Sequence, residues 1–95
     1  EMAVTAADLA KWNIARLERK LLPREDWEEM ERPVRLADGS STGYGLGVST
    51  RETGGRRVIE HGGAAIGFLS QSAIWIDDGV SVVVLTNAEF ARVQD

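Results

Sequence analysis

The chain has 95 residues, 43% of them hydrophobic and 27% charged, with a formal net charge of -4. That is ordinary globular usage with room for one small domain, which excludes general disorder and a two-domain chain. The acidic balance argues against nucleic acid and against an anionic membrane surface, both of which need a basic face. The lack of cysteine excludes disulfides, thiolate metal sites and a cysteine nucleophile.

The opening Glu1-Met2-Ala3-Val4-Thr5 reads as the approach to a helix, so the sequence is expected to start inside a longer polypeptide. It shows no signal peptide, and no apolar run near the ~20 residues of a membrane span. Thr5 is an N-cap, and Asp8 three residues on completes a capping-box pattern that opens the first helix. Ala6, Ala10, Ile14, Leu17 and Leu21 fall on one helical stripe. Leu9 and Trp12 lie off it, and two apolar sides predict cover from two directions. The alternative for Trp12 is a ring lying flat at a partly exposed edge.

Pro23 predicts a second, short helix through about Met30, with Glu25, Asp26, Glu28 and Glu29 as its solvated face. Pro33 ends it. Residues 37–43 form a polar loop. Tyr44, Leu46 and Val48 then alternate with Gly45, Gly47 and Ser49, which predicts a strand with one bare face. Thr53-Gly54-Gly55 reads as a turn, Arg57 to His61 as a second strand and Leu69 to Ile76 as a third. Asp77-Asp78-Gly79 is a hairpin signal before a fourth strand, Val80 to Thr86.

The fold class is therefore α+β: two N-terminal helices followed by a three- to four-stranded antiparallel sheet. Val82-Val83-Val84-Leu85 does not alternate, which predicts a strand buried on both faces. Two helices cover one face, so the other calls for a partner segment.

Gly39-Ser40-Ser41-Thr42-Gly43 matches the G-x-S-x-G pattern of a nucleophile elbow, but that device needs a strand before the serine and a helix after it. A flexible Gly/Ser loop is the reading preferred here. One histidine with scattered carboxylates gives no metal site, and residues 62–67 lack the Lys-Ser/Thr of a phosphate loop. No cofactor is expected.

The informative stretch is His61-Gly62-Gly63-Ala64, after Val58-Ile59-Glu60. Two glycines at a strand end strip the side chains from that edge, so a ligand can reach the backbone N–H groups, as an oxyanion hole requires. His61 beside them can donate a hydrogen bond or a proton. On spacing alone, a plain β-bulge or turn with a surface histidine is the simpler account.

Four pieces in order over nearly the whole chain change that balance: Thr5-Ala6-Ala7-Asp8-Leu9-Ala10-Lys11-Trp12, Tyr44-Gly45-Leu46-Gly47-Val48, His61-Gly62-Gly63 with Gly67-Phe68, and Leu85-Thr86-Asn87. Together they resemble the C-terminal region of serine β-lactamase-like proteins, meaning the class C β-lactamase, D-alanyl-D-alanine carboxypeptidase and related esterase family. The resemblance implies that residues 1–95 are one partial domain of the larger β-lactamase/transpeptidase-like fold, with helices over about 5–32 and sheet over about 44–87. It implies that His61 matches the lysine of the relatives' K-T-G motif and lines the substrate's carboxylate or carbonyl side. Gly62 and Gly63 match the rest of that motif and contact substrate. The backbone N–H of Ala64 would be one oxyanion donor, and the N–H of a nucleophilic serine elsewhere the other.

Two family motifs are missing. Lys11 and Lys20 are preceded three residues earlier by Asp8 and Leu17, so there is no S-x-x-K, and Tyr44 is followed by Gly45-Leu46, so there is no Y-x-N. A C-terminal covering helix is absent or only begun at Glu89 to Val93. The expectation is thus a fragment of a bacterial serine acyl-transfer hydrolase, silent alone, whose parent acts on a β-lactam, a peptidoglycan peptide or a small ester. A lysine holds a permanent charge suited to a substrate carboxylate and a histidine does not, which weighs against a β-lactamase specifically. Its partners would be the remainder of the parent hydrolase or a second copy, with a small acyl substrate in the complete enzyme. The resemblance implies a periplasmic or extracellular place, with the cytoplasm as the alternative. The competing reading is a non-catalytic α+β domain that binds a protein partner through its exposed sheet face.

Overall fold

A computed structural model describes residues 2–93. The chain forms α1 (Ala6–Leu17), α2 (Arg24–Glu31), β1 (Ser49–Thr53), β2 (Arg56–Ala65), β3 (Phe68–Trp75) and β4 (Val80–Thr86). The strands make one antiparallel meander in the order β1-β2-β3-β4. Two helices followed by a four-stranded antiparallel sheet is the α+β class expected.

Thr5 caps α1 as expected, its Oγ1 accepting from the Asp8 N–H at 3.1 Å. The face that α1 buries is a correction. Ile14, on the expected apolar stripe, is 48% exposed, while the buried residues of α1 are Asn13 and Arg16. For Asn13 the cause is hydrogen bonding. Asn13 Nδ2 donates to Ser72 Oγ and to Ser81 Oγ, both at 2.8 Å, which fixes the helix to β3 and β4. Buried polar groups that find partners set the rotation of a helix more sharply than an apolar stripe. Leu17, from the expected stripe, still packs on the core of Val48, Ile59 and Ile74.

α2 ends at Glu31, one residue past the expected end. Arg32 is extended (φ -74°, ψ 119°), as a residue before proline must be. Trp27 is fully buried, and its Nε1 donates to the Lys20 carbonyl at 2.9 Å. Trp12 meets Trp27 edge to face, with ring centroids 5.4 Å apart, and keeps 42% of its surface exposed. Between the helices Arg19 and Leu21 take positive φ, 53° and 70°. That conformation is costly for side-chain-bearing residues. At Arg19 it is offset by a two-pronged bond to Glu31, at 2.6 and 3.0 Å.

The Tyr44–Val48 segment is a second correction: it is a loop, and the first strand is Ser49–Thr53. One isolated bridge, Tyr44 to Ser49, is its only β-pairing among the described residues. Gly47 sits at φ +79°, and the Leu46 N–H donates to the Met30 carbonyl at 2.9 Å. The alternating glycines therefore serve a tight turn laid against the end of α2. Glycine at every second position looks the same in a pleat and in such a turn.

The third correction concerns β4. Ser81 and Val83 face the helices, but Val80, Val82 and Val84 on the other face are 48%, 47% and 38% exposed. On that same face Val58 and Ala73 are buried, so it is the β4 edge of the face that stays open among the described residues. Residues 89–93 hold a turn and no helix.

Candidate functional site

β2 does not end at His61. It continues to Ala65, with His61 opposite Ser72, Gly62 opposite Gln71, Gly63 opposite Ser70 and Ala64 opposite Leu69. The register with β3 is unbroken, so the stretch is not a bulge. On its other side β2 loses its neighbour, because pairing with β1 stops at Ser49 opposite Glu60.

The direction of the backbone groups follows from the register. The Arg57 carbonyl accepts from the Ile76 N–H on the β3 side. In an antiparallel ladder these groups alternate sides residue by residue. His61 and Gly63 therefore turn their N–H and C=O toward β3. Gly62 and Ala64 turn theirs to the side where β1 has ended. Side chains alternate as well, which puts His61 on the helix-facing side of the sheet with Ile59 and Ser72.

His61 is exposed, and the Tyr44 ring stands 6.3 Å away from it, centroid to centroid, tilted by 55°. Tyr44 is held by its backbone: its carbonyl accepts from the Val34 N–H at 2.8 Å, and its N–H donates to Thr42 Oγ1 at 3.1 Å. The Tyr44-Gly45-Leu46-Gly47 segment thus reaches this region as a loop wall and not as a strand. At Gly63 a Cβ would stand 2.6 Å from Ser70 Oγ, whose hydroxyl reaches the Gly63 carbonyl at 3.5 Å. Ser70 and Ser72 were not singled out from the sequence. Their signal was two hydroxyls spaced by two on the inward face of a mostly apolar strand.

Two cavities adjoin β2. One, of about 370 Å³, lies under the helices and is lined by Leu9, Trp12, Arg16, Ile59, His61 and Ser72 among others. The second, of about 570 Å³, is lined by Gly62, Gly63, Ala64, Leu69 and Arg92 among others. Arg16 is 2% exposed. Burial pulls its guanidinium below the ordinary arginine range, while Glu31 opposes that shift and Arg19 adds to it. Arg19 goes the other way, held protonated first by its hydrogen bond to Glu31.

Ser40 and Ser41 lie in an exposed loop. The Ser40 N–H and hydroxyl both donate to Asp38 Oδ1, at 2.9 and 2.6 Å, and hold that carboxyl below its usual range. Among the described residues no helix follows them, so the G-x-S-x-G match has no elbow geometry. Among the described residues no three His, Cys, Asp or Glu side chains gather to hold a metal ion, and no helix is long and apolar enough to cross a membrane.

Residues 1–94 match the family described as Beta-lactamase, and the chain belongs to that family, the serine hydrolase family its motifs resemble. It is 36% identical over 63 residues to a D-aminopeptidase of Brucella ovis, which covers 66% of this chain and 12% of that protein. It is 40% identical over 54 residues to a D-aminopeptidase of Brucella anthropi, covering 57% of this chain and 10% of that protein. The chain thus spans a small part of the length of the curated relatives it matches.

Proposed function

We propose that this chain supplies one wall of a serine acyl-transfer site whose nucleophile lies outside the sequence. The observation that carries the reading is the free side of β2 beyond Glu60, where Gly62 and Ala64 present backbone groups past the end of β1. In this reading the substrate carbonyl oxygen sits against the Ala64 N–H, and His61, Gly62 and Gly63 line the substrate beside it. The second oxyanion donor is the N–H of the nucleophilic serine. A donor of this kind typically contributes ~3 kcal/mol to transition-state stabilisation. No serine here lies three residues before a lysine, so residues 1–95 act as one partial domain and are silent alone. The name of the Brucella relatives, D-aminopeptidase, favours a peptide substrate over a β-lactam or an ester.

Two experiments test the reading. The chain is incubated with p-nitrophenyl acetate and weighed by mass spectrometry; no acyl adduct is expected, and one on Ser40 or Ser41 would overturn the assignment of the nucleophile. In a longer form of the protein that carries an S-x-x-K motif, His61→Ala should lower turnover. Unchanged turnover would remove His61 from the site.

A second reading rests on the open sheet face of Val80, Val82 and Val84. An apolar face of this kind suits a docking surface, for the remainder of a parent hydrolase or for a second copy of this chain. If the longer polypeptide lacks S-x-x-K, the non-catalytic binding domain becomes the better account.

A further inference from the structure

Ala64 takes part in two features at once. Its N–H turns to the free side of β2, and the same exposed residue lines the cavity of about 570 Å³. That volume is within the range of small-molecule sites. The lining includes neither His61 nor any residue of α1 or α2 among those described. One wall is the β2–β3 hairpin, through Gly62, Ala64 and Leu69. The other is the segment after β4, where Ala91 and Val93 are half-buried.

That second wall is strapped to the hairpin. The Gly67 N–H donates to Glu89 Oε1 at 2.7 Å, across 22 residues of chain. A carboxylate on a backbone N–H is one of the stronger kinds of hydrogen bond. The Ala88 N–H donates to Thr86 Oγ1 at 3.2 Å, and the Ala91 N–H donates to the Ala88 carbonyl at 3.4 Å, which sets the turn that leads into the wall.

The lining is apolar in character. Gly62 offers backbone alone, while Ala64, Leu69, Ala91 and Val93 add hydrocarbon. The Ser70 hydroxyl is turned to the Gly63 carbonyl. No carboxylate is among the lining residues described, so a cationic group finds no partner there. Arg92 also lines the cavity and is exposed; an arginine in such a place covers apolar surface with its stem and keeps its head in water.

We infer that this cavity is the subsite for the acyl part of the substrate, and that this part is apolar. Its carbonyl oxygen sits on the Ala64 N–H, and its carbon chain lies between Leu69 and Val93. The acyl part keeps its carbonyl at Ala64 through both acylation and hydrolysis, whereas the leaving group departs after the first step, so the cavity that adjoins Ala64 serves the acyl side. The inference rests on the acyl-transfer reading and deepens it by naming what the acyl group carries.

The test uses two isomers of one composition, N-methylhexanamide with its carbon chain on the acyl side and N-pentylacetamide with its chain on the nitrogen. Each is titrated into the unmodified chain while backbone amide resonances are followed by NMR. N-methylhexanamide should shift Ala64, Leu69 and Val93 saturably and bind about tenfold tighter than its isomer, the gain of burying about two methylenes. Glu89→Ala, which releases the strap, should bring that ratio below about threefold. Equal affinities, or tighter binding of N-pentylacetamide, with Ala64 shifting, would overturn the acyl subsite and leave the Ala64 donor standing. Shifts at Leu69 and Val93 with Ala64 unmoved would overturn the acyl-transfer reading itself. Shifts at Leu9 and Ile74 in their place, no saturable shift, or a full ratio retained in Glu89→Ala would each overturn the assignment of this cavity.

Discussion

Replacing Gly45 by alanine should destabilise the whole molecule, not just its loop. A Cβ at this position would stand 2.2 Å from the Met30 carbonyl oxygen, 3.0 Å from the Arg32 carbonyl oxygen and 3.2 Å from the Met30 carbonyl carbon. All three are backbone atoms, so no side-chain rotation relieves the clash. The loop must move off the end of α2. That movement breaks the bond from the Leu46 N–H to the Met30 carbonyl, a loss of about 0.5–1.5 kcal/mol. Overpacking adds about 1–3 kcal/mol. Together these come to about 1.5–4.5 kcal/mol, a large share of the roughly 5–15 kcal/mol that holds a typical domain folded. Urea unfolding followed by the fluorescence of buried Trp27 measures it. Gly47→Ala is the control. Gly47 has φ +79° and nothing within 4 Å of its would-be Cβ, so its cost is the left-handed backbone alone, about 1–2 kcal/mol. If Gly45→Ala loses no more than Gly47→Ala, the close approach to α2 is not what fixes this loop. Tyr44 adjoins Gly45 and faces His61, so the His61 ring resonances should shift in Gly45→Ala and stay in place in Gly47→Ala.

Glu31→Gln should cost about 3–5 kcal/mol in the same urea assay, because it leaves buried Arg16 and partly buried Arg19 beside each other without their carboxylate; a loss below about 1 kcal/mol would mean that water reaches the cluster. The Asp8 carboxyl is pulled below its usual value, first by Lys11 and then by Thr5. A lowered folded-state value means its contribution to stability is present above the ordinary carboxylate value of about 4 and is lost as pH falls through the lowered one. NMR titration of the Asp8 side chain should therefore give a midpoint below that of an aspartate in an unstructured peptide. An equal midpoint would break the link to Lys11 and Thr5.

Much of the fold was legible because its signals are local. The Thr5 cap, Pro23 and Pro33 around α2, and the turn before Val80 depend on residues within a few positions of one another. The face that α1 buries was not legible. Asn13 is fixed by Ser72 and Ser81, 59 and 68 residues further along the chain, and a charged Arg16 reads as solvent-facing until its cluster with Glu31 and Trp27 is assembled. The length of β2 was misjudged for a related reason. Gly62 and Gly63 are weak strand formers on their own, and β3 supplies the ladder that carries them through. In the candidate site the position of His61 on a strand was readable, whereas the continuation of that strand through Gly62 and Gly63, the Tyr44 ring and the two serines of β3 were set by tertiary pairing.

The last five residues of β2 have a neighbour on one side only. Their backbone is held in place by β3, while the groups that face the other way meet water. The ordering entropy of this segment, on the order of 1–2 kcal/mol per residue, is therefore spent when the sheet forms and not when something binds. A guest that lies along this side need only displace solvent from donors already aimed and spaced two residues apart. Its affinity then depends on how well its own backbone is ordered beforehand, so a stiffened or cyclic guest gains more here than one with extra side-chain contacts.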